Sequence, residues 1–339
     1  MTDKRPIDVK RESSGMADIG TQEDGAIIEM YDLNGRLIII KEKAIYELIM
    51  ADKIDPERKN IELPKSIQRL VINQGAHSEL VSRTFLTAKT LFRPDFFIGM
   101  DIKKVVSSSL DLLTELIVLE KEITDYLVKE KVVSDEYDQR RTQAVSYVIP
   151  SIGDVETRCK TIFQKADHIE QILMEIIIFF YYGEEWKKQF HFPQFYEILK
   201  VKYGEDDPFT KFVGSTIEFM KVIRELRNSL DHRLEFAKVN DFELQADSKT
   251  FEIISPTIEL NNKRSKLERQ ALSSFLPIVL QNMMTIFEMT MVYLSSKTTK
   301  SNYKSYQIKE IPEETRRYKL VRYSFWTSLL GEGYGFFHQ

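Results

Sequence analysis

Three residues near the middle of the chain have the types and spacing for acid–base chemistry on a phosphate. Arg227, Asn228 and His232 lie in residues 223–233, at the end of a predicted amphipathic helix. Arg227 falls four residues after Ile223 and three before Leu230, where the helical pattern predicts a core side chain. A buried guanidinium without a partner is costly. We therefore expect Arg227 to meet a carboxylate, a cavity or a ligand.

The same three side chains are expected to border one cleft. Asn228 and His232 are four residues apart, so they are neighbours on a helix surface, and Arg227 lies roughly 100° around the helix from Asn228. Cleavage of RNA through its own 2′-hydroxyl needs a proton acceptor, a proton donor and charge stabilisation at phosphorus. Histidine can serve as acid or base near neutral pH, and arginine binds phosphate oxygens. Asparagine can hold the histidine or a phosphate oxygen.

The motif carries a resemblance to a known family. Residues 227–232, Arg-Asn-Ser-Leu-Asp-His, match the Arg-x4–6-His signature of the HEPN superfamily (higher eukaryotes and prokaryotes nucleotide-binding), in its Arg-Asn-x3-His form. Predicted helices near 101–131, 155–182, 207–233 and 264–297 resemble the all-α core of that family, with the motif on the third helix.

The resemblance implies roles for individual residues. Arg227 and His232 would be catalytic and Asn228 supporting. The family often adds a polar or acidic residue from its second helix, and Glu175 or His168, on a polar stripe of the predicted helix 155–182, would suit that supporting role.

The resemblance also implies a function and partners. Many HEPN proteins are metal-independent endoribonucleases of toxin or phage-defence systems, so we expect RNA cleavage by 2′-hydroxyl transesterification, with RNA as the substrate. Their sites usually form where two motif helices meet, which implies a homodimer, and an antitoxin or other regulatory partner would fit such a system. One alternative is a non-catalytic HEPN-like module that binds nucleotides or proteins. Another is a structural or regulatory protein whose tail, from Lys300, docks a partner.

Simpler interpretations of the same residues stay open. Arg227 could form a structural salt bridge inside a helical bundle, and His232 could be a surface histidine at a helix end, interacting with the helix dipole. Glu175 and His168 could be ordinary polar residues with local partners.

Other kinds of site have little support in the sequence. No spacing of His, Cys and Asp resembles a zinc site, and the glycines at 331, 333 and 335 precede no predicted helix, unlike a phosphate-binding loop. We therefore predict neither a metal nor a cofactor.

Composition limits the partners and the compartment. The chain has 339 residues, 42% hydrophobic and 29% charged, with a net charge of −4, so a nucleic-acid site must be local rather than a global basic surface. The single cysteine, Cys159, suggests a reducing compartment. No apolar signal core begins the chain, and the longest apolar run, 176–182, is far shorter than the roughly 20 residues of a membrane span. We expect a cytoplasmic protein that does not bind membranes.

The predicted fold class is mostly α, a HEPN-like four-helix bundle with small β-hairpin additions. Asn34-Gly35 between two apolar runs predicts one hairpin, Asp207-Pro208 predicts a helix start, and residues 66–91 have helical spacing around Gly75. The predicted regions are a disordered tail at 1–25, a hairpin and helical region at 26–100, a HEPN-like helical domain at 101–297 with an inserted hairpin at 239–260, and an extension with a strand at 298–339.

Overall fold

A computed structural model describes residues 4–13, 18–142, 148–181, 191–299, 306–327 and 335–337 of the protein. The helices are α1 (Pro6–Glu12), α2 (Ala51–Ile54), α3 (Glu79–Val81), α4 (Thr87–Leu91), α5 (Ile102–Thr142), α6 (Val155–Phe180), α7 (Phe192–Tyr203), α8 (Pro208–Asp231) and α9 (Leu272–Thr298). The strands are β1 (Ile27–Leu33), β2 (Arg36–Lys41), β3 (Ile45–Met50), β4 (Ser66–Ile72), β5 (Ala237–Asn240), β6 (Glu243–Leu244), β7 (Ile253–Ile254), β8 (Thr257–Asn261), β9 (Lys266–Ala271), β10 (Tyr306–Glu310), β11 (Tyr323–Thr327) and β12 (Gly335–Phe336).

The chain divides into two compact units. The first comprises Met1–Leu110 with Thr299–Gln339, and the second comprises Asp111–Thr298. The predicted helical domain at 101–297 begins inside the first unit and otherwise coincides closely with the second. Helix α5 belongs in part to each unit, because it runs without a break from Ile102 to Thr142.

The first unit contains a four-stranded antiparallel sheet in the order β1-β2-β3-β4. The predicted hairpin is confirmed, since β1 pairs with β2 and Tyr31 faces Ile38. Asn34 and Gly35 form its turn with φ values of 53° and 73°. Both values lie in the left-handed region that this tight turn needs, which asparagine and glycine adopt most readily.

Residues 66–91 form a strand and a helical segment, whereas the helical spacing around Gly75 predicted one helix or two. Strand β4 pairs with β3, and helical structure begins only at Glu79. Gly75 lies between them, and a Cβ there would be 2.2 Å from the carbonyl oxygen of Lys41. Only glycine allows the chain to pass this close to the β2–β3 turn.

The described residues near both ends of the chain include regular structure. Residues 1–25 were expected to be disordered, but they include helix α1, whose Ile7 is buried and whose Asp8 accepts a 3.1 Å hydrogen bond from Arg58. In the C-terminal extension, β11 lies in a three-stranded sheet between β10 and β12. Phe325 of β11 stacks on Phe96, 3.9 Å between ring centroids.

The second unit is built from long helices with an inserted β region. Helix α6 packs against α8 and α9, and α7 packs against α8. The predicted start of α8 is confirmed, because Asp207 accepts a 3.0 Å hydrogen bond from the N–H of Phe209 and Pro208 is the first helical residue.

The β region between α8 and α9 is larger than one hairpin. Leu244 pairs with Ile253 within the range of the hairpin predicted at 239–260, but β5, β8 and β9 form a separate three-stranded sheet. Lys266–Ala271, predicted to open the last helix, is a strand, so α9 begins only at Leu272.

The predicted fold class is wrong. The structure is 54% helix and 19% strand, a mixture of α and β rather than a mostly α four-helix bundle with small additions. Strands rich in isoleucine make up the sheet of the first unit, and five further strands separate α8 from α9, so the strands are more than additions to a bundle.

One described helix, Leu272–Thr298, is long and apolar enough to cross a membrane. However, 61% of its most apolar stretch is buried inside the protein.

Candidate functional site

The candidate site is built where α6 and α8 pack against each other. Each helix has an apolar face that drives this packing, and the residues of that face are buried. The buried apolar residues of α8 are Phe209, Val213, Met220, Val222, Ile223, Leu226 and Leu230. Beside this apolar contact the two helices place polar side chains opposite each other, and these form the site.

Lys160 of α6 lies 3.3 Å from Asp231 of α8, and three further polar contacts between the two helices follow in order. Gln164 donates a 2.8 Å hydrogen bond to Asp231. One turn along α6, Asp167 lies 3.7 Å from Nε of Arg227. The third contact, between Glu170 and Arg224, follows one turn further. Residues later in the sequence of α6 contact residues earlier in the sequence of α8, because the two helices are antiparallel.

Arg227 is held by three neighbours. Its Nη1 donates a 2.9 Å hydrogen bond to Oδ1 of Asn228, and its Nε lies 3.0 Å from Oδ2 of Asp231. The geometry at Nε does not make a hydrogen bond, so the contacts of Nε with Asp231 and Asp167 are electrostatic. The side chain keeps 32% of its surface exposed, so the guanidinium is partnered but still reachable from solvent.

Glu170 anchors the other end of the site. Its side chain is only 1% exposed, and Oε1 accepts a 2.6 Å hydrogen bond from Nη2 of Arg224. Nδ1 of His191, at the start of α7, lies 3.4 Å from the same oxygen. Among the described residues, Oε2 of Glu170 and Nε of Arg224 are buried without a hydrogen-bond partner.

These side chains form the wall of an open cleft of about 750 Å³. Its far wall includes the turn between β8 and β9, where Asn262 donates a 2.6 Å hydrogen bond to Glu225 of α8. The residues that line the cleft are Asp167, Gln171, His191, Pro193, Lys221, Arg224, Glu225, Arg227, Asn228 and Arg264. Four of them carry a positive charge and two carry a negative charge. Each of the four cations also lies within 4 Å of a carboxylate: Lys221 of Glu218, Arg224 of Glu170, Arg227 of Asp231 and Arg264 of Glu225.

The structure brings two of the three predicted motif residues into the cleft. Arg227 and Asn228 line it side by side. His232 follows the last residue of α8, its N–H donates to the carbonyl of Asn228, and its side chain is exposed. His232 is not among the described residues that line the cleft. It lies one helical turn past Asn228, outside the cleft wall.

The predicted supporting residues lie elsewhere. Glu175 is exposed and does not line the cleft. His168 is also exposed, and its Nδ1 lies 3.6 Å from Glu115 of α5. The residues of the expected polar stripe on α6 therefore contact different helices, because Gln164 faces α8 while His168 faces α5.

Several site residues were not found from the sequence. Asp167 and Glu170 are the acidic partners that α6 supplies, Arg224 and Asp231 extend the motif on α8, and His191 comes from α7. The sequence did contain a signal for the residues on α6 and α8. The two acids of α6 are three residues apart, and the charged residues of α8 are three and four apart. Such spacings place the side chains on one face of each helix, where they can pair between antiparallel helices. His191 had no such signal, because only the fold brings α7 to this cleft.

Other chemistry has little support in the described parts of the chain. Burial raises the pKa of the Cys159 thiol to about 12, which leaves it protonated and poorly suited to act as a nucleophile. Across the described ranges, no group of three or more His, Cys, Asp or Glu side chains is arranged to hold a metal ion.

Comparisons with protein families, with curated proteins and with solved structures found no match.

Proposed function

We propose that this cleft binds RNA and that the protein is a metal-independent endoribonuclease. The proposal depends most on the placement of Arg227 and Asn228, neighbours in the Arg-Asn-x3-His motif, in the wall of an open cleft that Lys221, Arg224 and Arg264 also line. The motif supplies the acid–base chemistry, and the other basic side chains of the cleft supply donors that could exchange their carboxylate partners for phosphate oxygens.

Phosphate binding is the first step that the cleft supports. Arg224 and Arg227 present guanidinium groups from one face of α8, and Lys221 lies one turn before Arg224. Guanidinium groups bind phosphate oxygens through paired hydrogen bonds. Arg264, whose side chain is 81% exposed and whose Nη1 lies 3.7 Å from Glu225 of α8, can contact a neighbouring phosphate.

The proposed reaction uses the substrate's own 2′-hydroxyl. The 2′-oxygen attacks the adjacent phosphorus, the bond from phosphorus to the 5′-oxygen breaks, and Arg227 offsets the charge that builds on the phosphate oxygens. His232 donates a proton to the leaving 5′-oxygen from the end of α8. The products are a 2′,3′-cyclic phosphate and a 5′-hydroxyl.

A non-catalytic nucleotide-binding or protein-binding module is the second candidate. It is favoured by the internal pairing of the arginines, because Arg224 is already held by Glu170 and Arg227 by Asp231. Such pairs can serve the fold alone.

An assay with labelled single-stranded RNA in EDTA separates the two candidates. We expect the protein to bind and cleave the RNA, and His232→Ala to bind with similar affinity but to cleave at least about 100-fold more slowly. Binding without cleavage by the wild-type protein would favour the binding module. Absence of both would contradict the RNA proposal altogether.

The biological setting remains part of the proposal. Resemblance of the motif to HEPN ribonucleases favours a toxin or phage-defence role with RNA as the substrate, and it favours a homodimer in which two copies of α8 approach each other. An antitoxin or regulatory partner and a cytoplasmic location fit the same setting.

A further inference from the structure

His191 is a histidine of the cleft that lies outside the motif. It immediately precedes α7, and its backbone N–H donates a 3.2 Å hydrogen bond to the side chain of Gln194 in the first turn. The imidazole lines the same cleft as Arg224, Arg227 and Asn228. The fold thus adds a titratable group to this wall from α7, the helix that precedes α8 in the chain.

A buried carboxylate orients this imidazole. Nδ1 of His191 lies 3.4 Å from Oε1 of Glu170, whose side chain is 1% exposed. Because Nδ1 is turned toward the carboxylate, Nε2 is the nitrogen left for a ligand in the cleft. A carboxylate beside an imidazole is a usual arrangement for a histidine that accepts a proton, and here the two groups are in electrostatic contact.

The charges around this pair suit proton transfer next to a phosphate. Arg224 donates to the same oxygen of Glu170, and its side chain also lines the cleft. A phosphate bound to Arg224 and Arg227 would therefore lie beside the imidazole. The reaction proposed above assigns a proton donor, His232, but leaves the proton acceptor unassigned.

We propose that His191 is the general base of the reaction, an inference that rests on the proposed ribonuclease function. Nε2 of His191 accepts the proton of the 2′-hydroxyl as the bond from the 2′-oxygen to phosphorus forms. The bond from phosphorus to the 5′-oxygen breaks, and this oxygen takes a proton from the imidazolium of His232. Glu170 acts as a positioning residue that holds His191. One chain then supplies two histidines with different roles.

Two substrates separate the roles of these histidines. With RNA, His191→Ala and His232→Ala should each slow cleavage at least about 100-fold. With uridine 3′-(4-nitrophenyl phosphate), whose leaving group departs without a proton, His232→Ala should act within about threefold of wild type while His191→Ala stays impaired about 100-fold. The reverse pattern would overturn the assignment of the base.

Imidazole added to the assay tests whether the loss is chemical or structural. Cleavage by His191→Ala should rise with imidazole concentration, whereas wild type should not respond. Loss of activity without such a response, in a variant that melts at the wild-type temperature, would give His191 a structural role and overturn the proposal. His77→Ala, a change of an exposed histidine in the first unit, is the control and should cleave at the wild-type rate.

The two proposals fail in different ways. If wild-type protein cleaves RNA and His191→Ala cleaves it equally well, the base assignment is wrong and the ribonuclease function stands. If wild-type protein cleaves neither substrate, the proposed function is wrong, and the role of His191 is withdrawn with it.

Discussion

At the scale of single residues, the site depends on how buried acids are paired. Glu170 is the most enclosed of them, and its charge is balanced by Arg224 and faces His191. A buried charge costs several kcal/mol unless it is paired, and breaking such a pair usually costs more than the pair contributes. The acids of α6 therefore hold the arginines of α8 in place and also carry part of the stability of the fold.

Substitution of Glu170 tests this pairing. We expect Glu170→Ala to lower the free energy of unfolding by about 3 kcal/mol, because Arg224 would lose its carboxylate partner in a largely buried position. Urea denaturation measures the change. Glu175→Ala, at an exposed position of the same helix, is the control and should stay within about 0.5 kcal/mol of wild type. If the two changes lowered the free energy of unfolding equally, the pairing of Glu170 with Arg224 would not contribute to stability.

Substitution of Arg227 tests phosphate binding. We expect Arg227→Gln to weaken binding to single-stranded RNA about tenfold and to reduce the slope of log K against log salt by about 0.7, the value for one phosphate contact. Fluorescence anisotropy over a range of salt concentrations gives both quantities. Lys211→Ala removes the same charge at the other, exposed end of α8 and should leave the slope unchanged. An unchanged slope for Arg227→Gln would remove Arg227 from the phosphate site.

Part of the site could be predicted from the sequence. Arg227 stood out because a cation replaced a core residue at helical spacing, and the expectation that it would meet a carboxylate and a cavity agrees with its contacts to Asp231 and Asp167 and with the cleft. The supporting residues could not be predicted, because a polar stripe shows which residues share a helix face but not which element that face contacts. Glu175 and His168 lie on the stripe, yet neither lines the cleft.

At the scale of elements, α8 begins at a well-defined cap. Burial raises the pKa of Asp207, but hydrogen bonds from Lys297 and from the backbone N–H of Phe209 outweigh it and hold the pKa below its usual 3.8. A carboxyl whose pKa is lowered by folding stabilises the fold above its unfolded pKa. That contribution is lost as the pH falls through the folded pKa.

Asp207→Ala should therefore cost about 1 kcal/mol of unfolding free energy at pH 7, the usual value for loss of a cap. The difference from wild type should shrink as the pH falls below 3.8, because wild-type Asp207 becomes protonated as well. Chemical denaturation across this pH range measures it. Asp206→Ala, at the adjacent exposed residue, should change stability little. A difference that is constant with pH would mean that the charge of Asp207 does not matter.

Local signals predicted some elements and failed for others. Asp207-Pro208 and Asn34-Gly35 fix their own backbone conformations, so the helix start and the hairpin turn were predictable. Strand β4 was not, because its apolar residues fit helical spacing as well as a strand, and pairing with β3 decides between them. Gly75 marked the break, but the reason, close approach to Lys41, depends on tertiary structure.

At the scale of the whole molecule, the mixture of α and β was underestimated because strands were counted as additions to a bundle. Each hairpin is short, and a short antiparallel segment leaves only a weak periodic signal beside a helix of 41 residues such as α5. The long helices were therefore easier to predict than the strands that precede and follow them in the chain.

The homodimer remains a prediction at this scale. If two copies of α8 approach each other as the resemblance implies, sedimentation velocity should give a mass near twice the chain mass of 39.8 kDa at micromolar concentration. The acid–base pair inferred above needs no second chain, so activity that persists at concentrations where only monomer is present would favour a site within one chain. Activity that disappears as the dimer dissociates would favour a site shared by two chains.

The central claim is that the cleft cleaves RNA through the substrate's own 2′-hydroxyl. The most direct measurement uses two matched oligonucleotides in EDTA, one all-ribose and one with a single 2′-deoxy nucleotide at the cleaved position. We expect cleavage of the first to a 2′,3′-cyclic phosphate, no cleavage of the second at that position, and a loss of at least about 100-fold in His232→Ala. Cleavage that EDTA abolishes, or equal cleavage of both oligonucleotides, would contradict it.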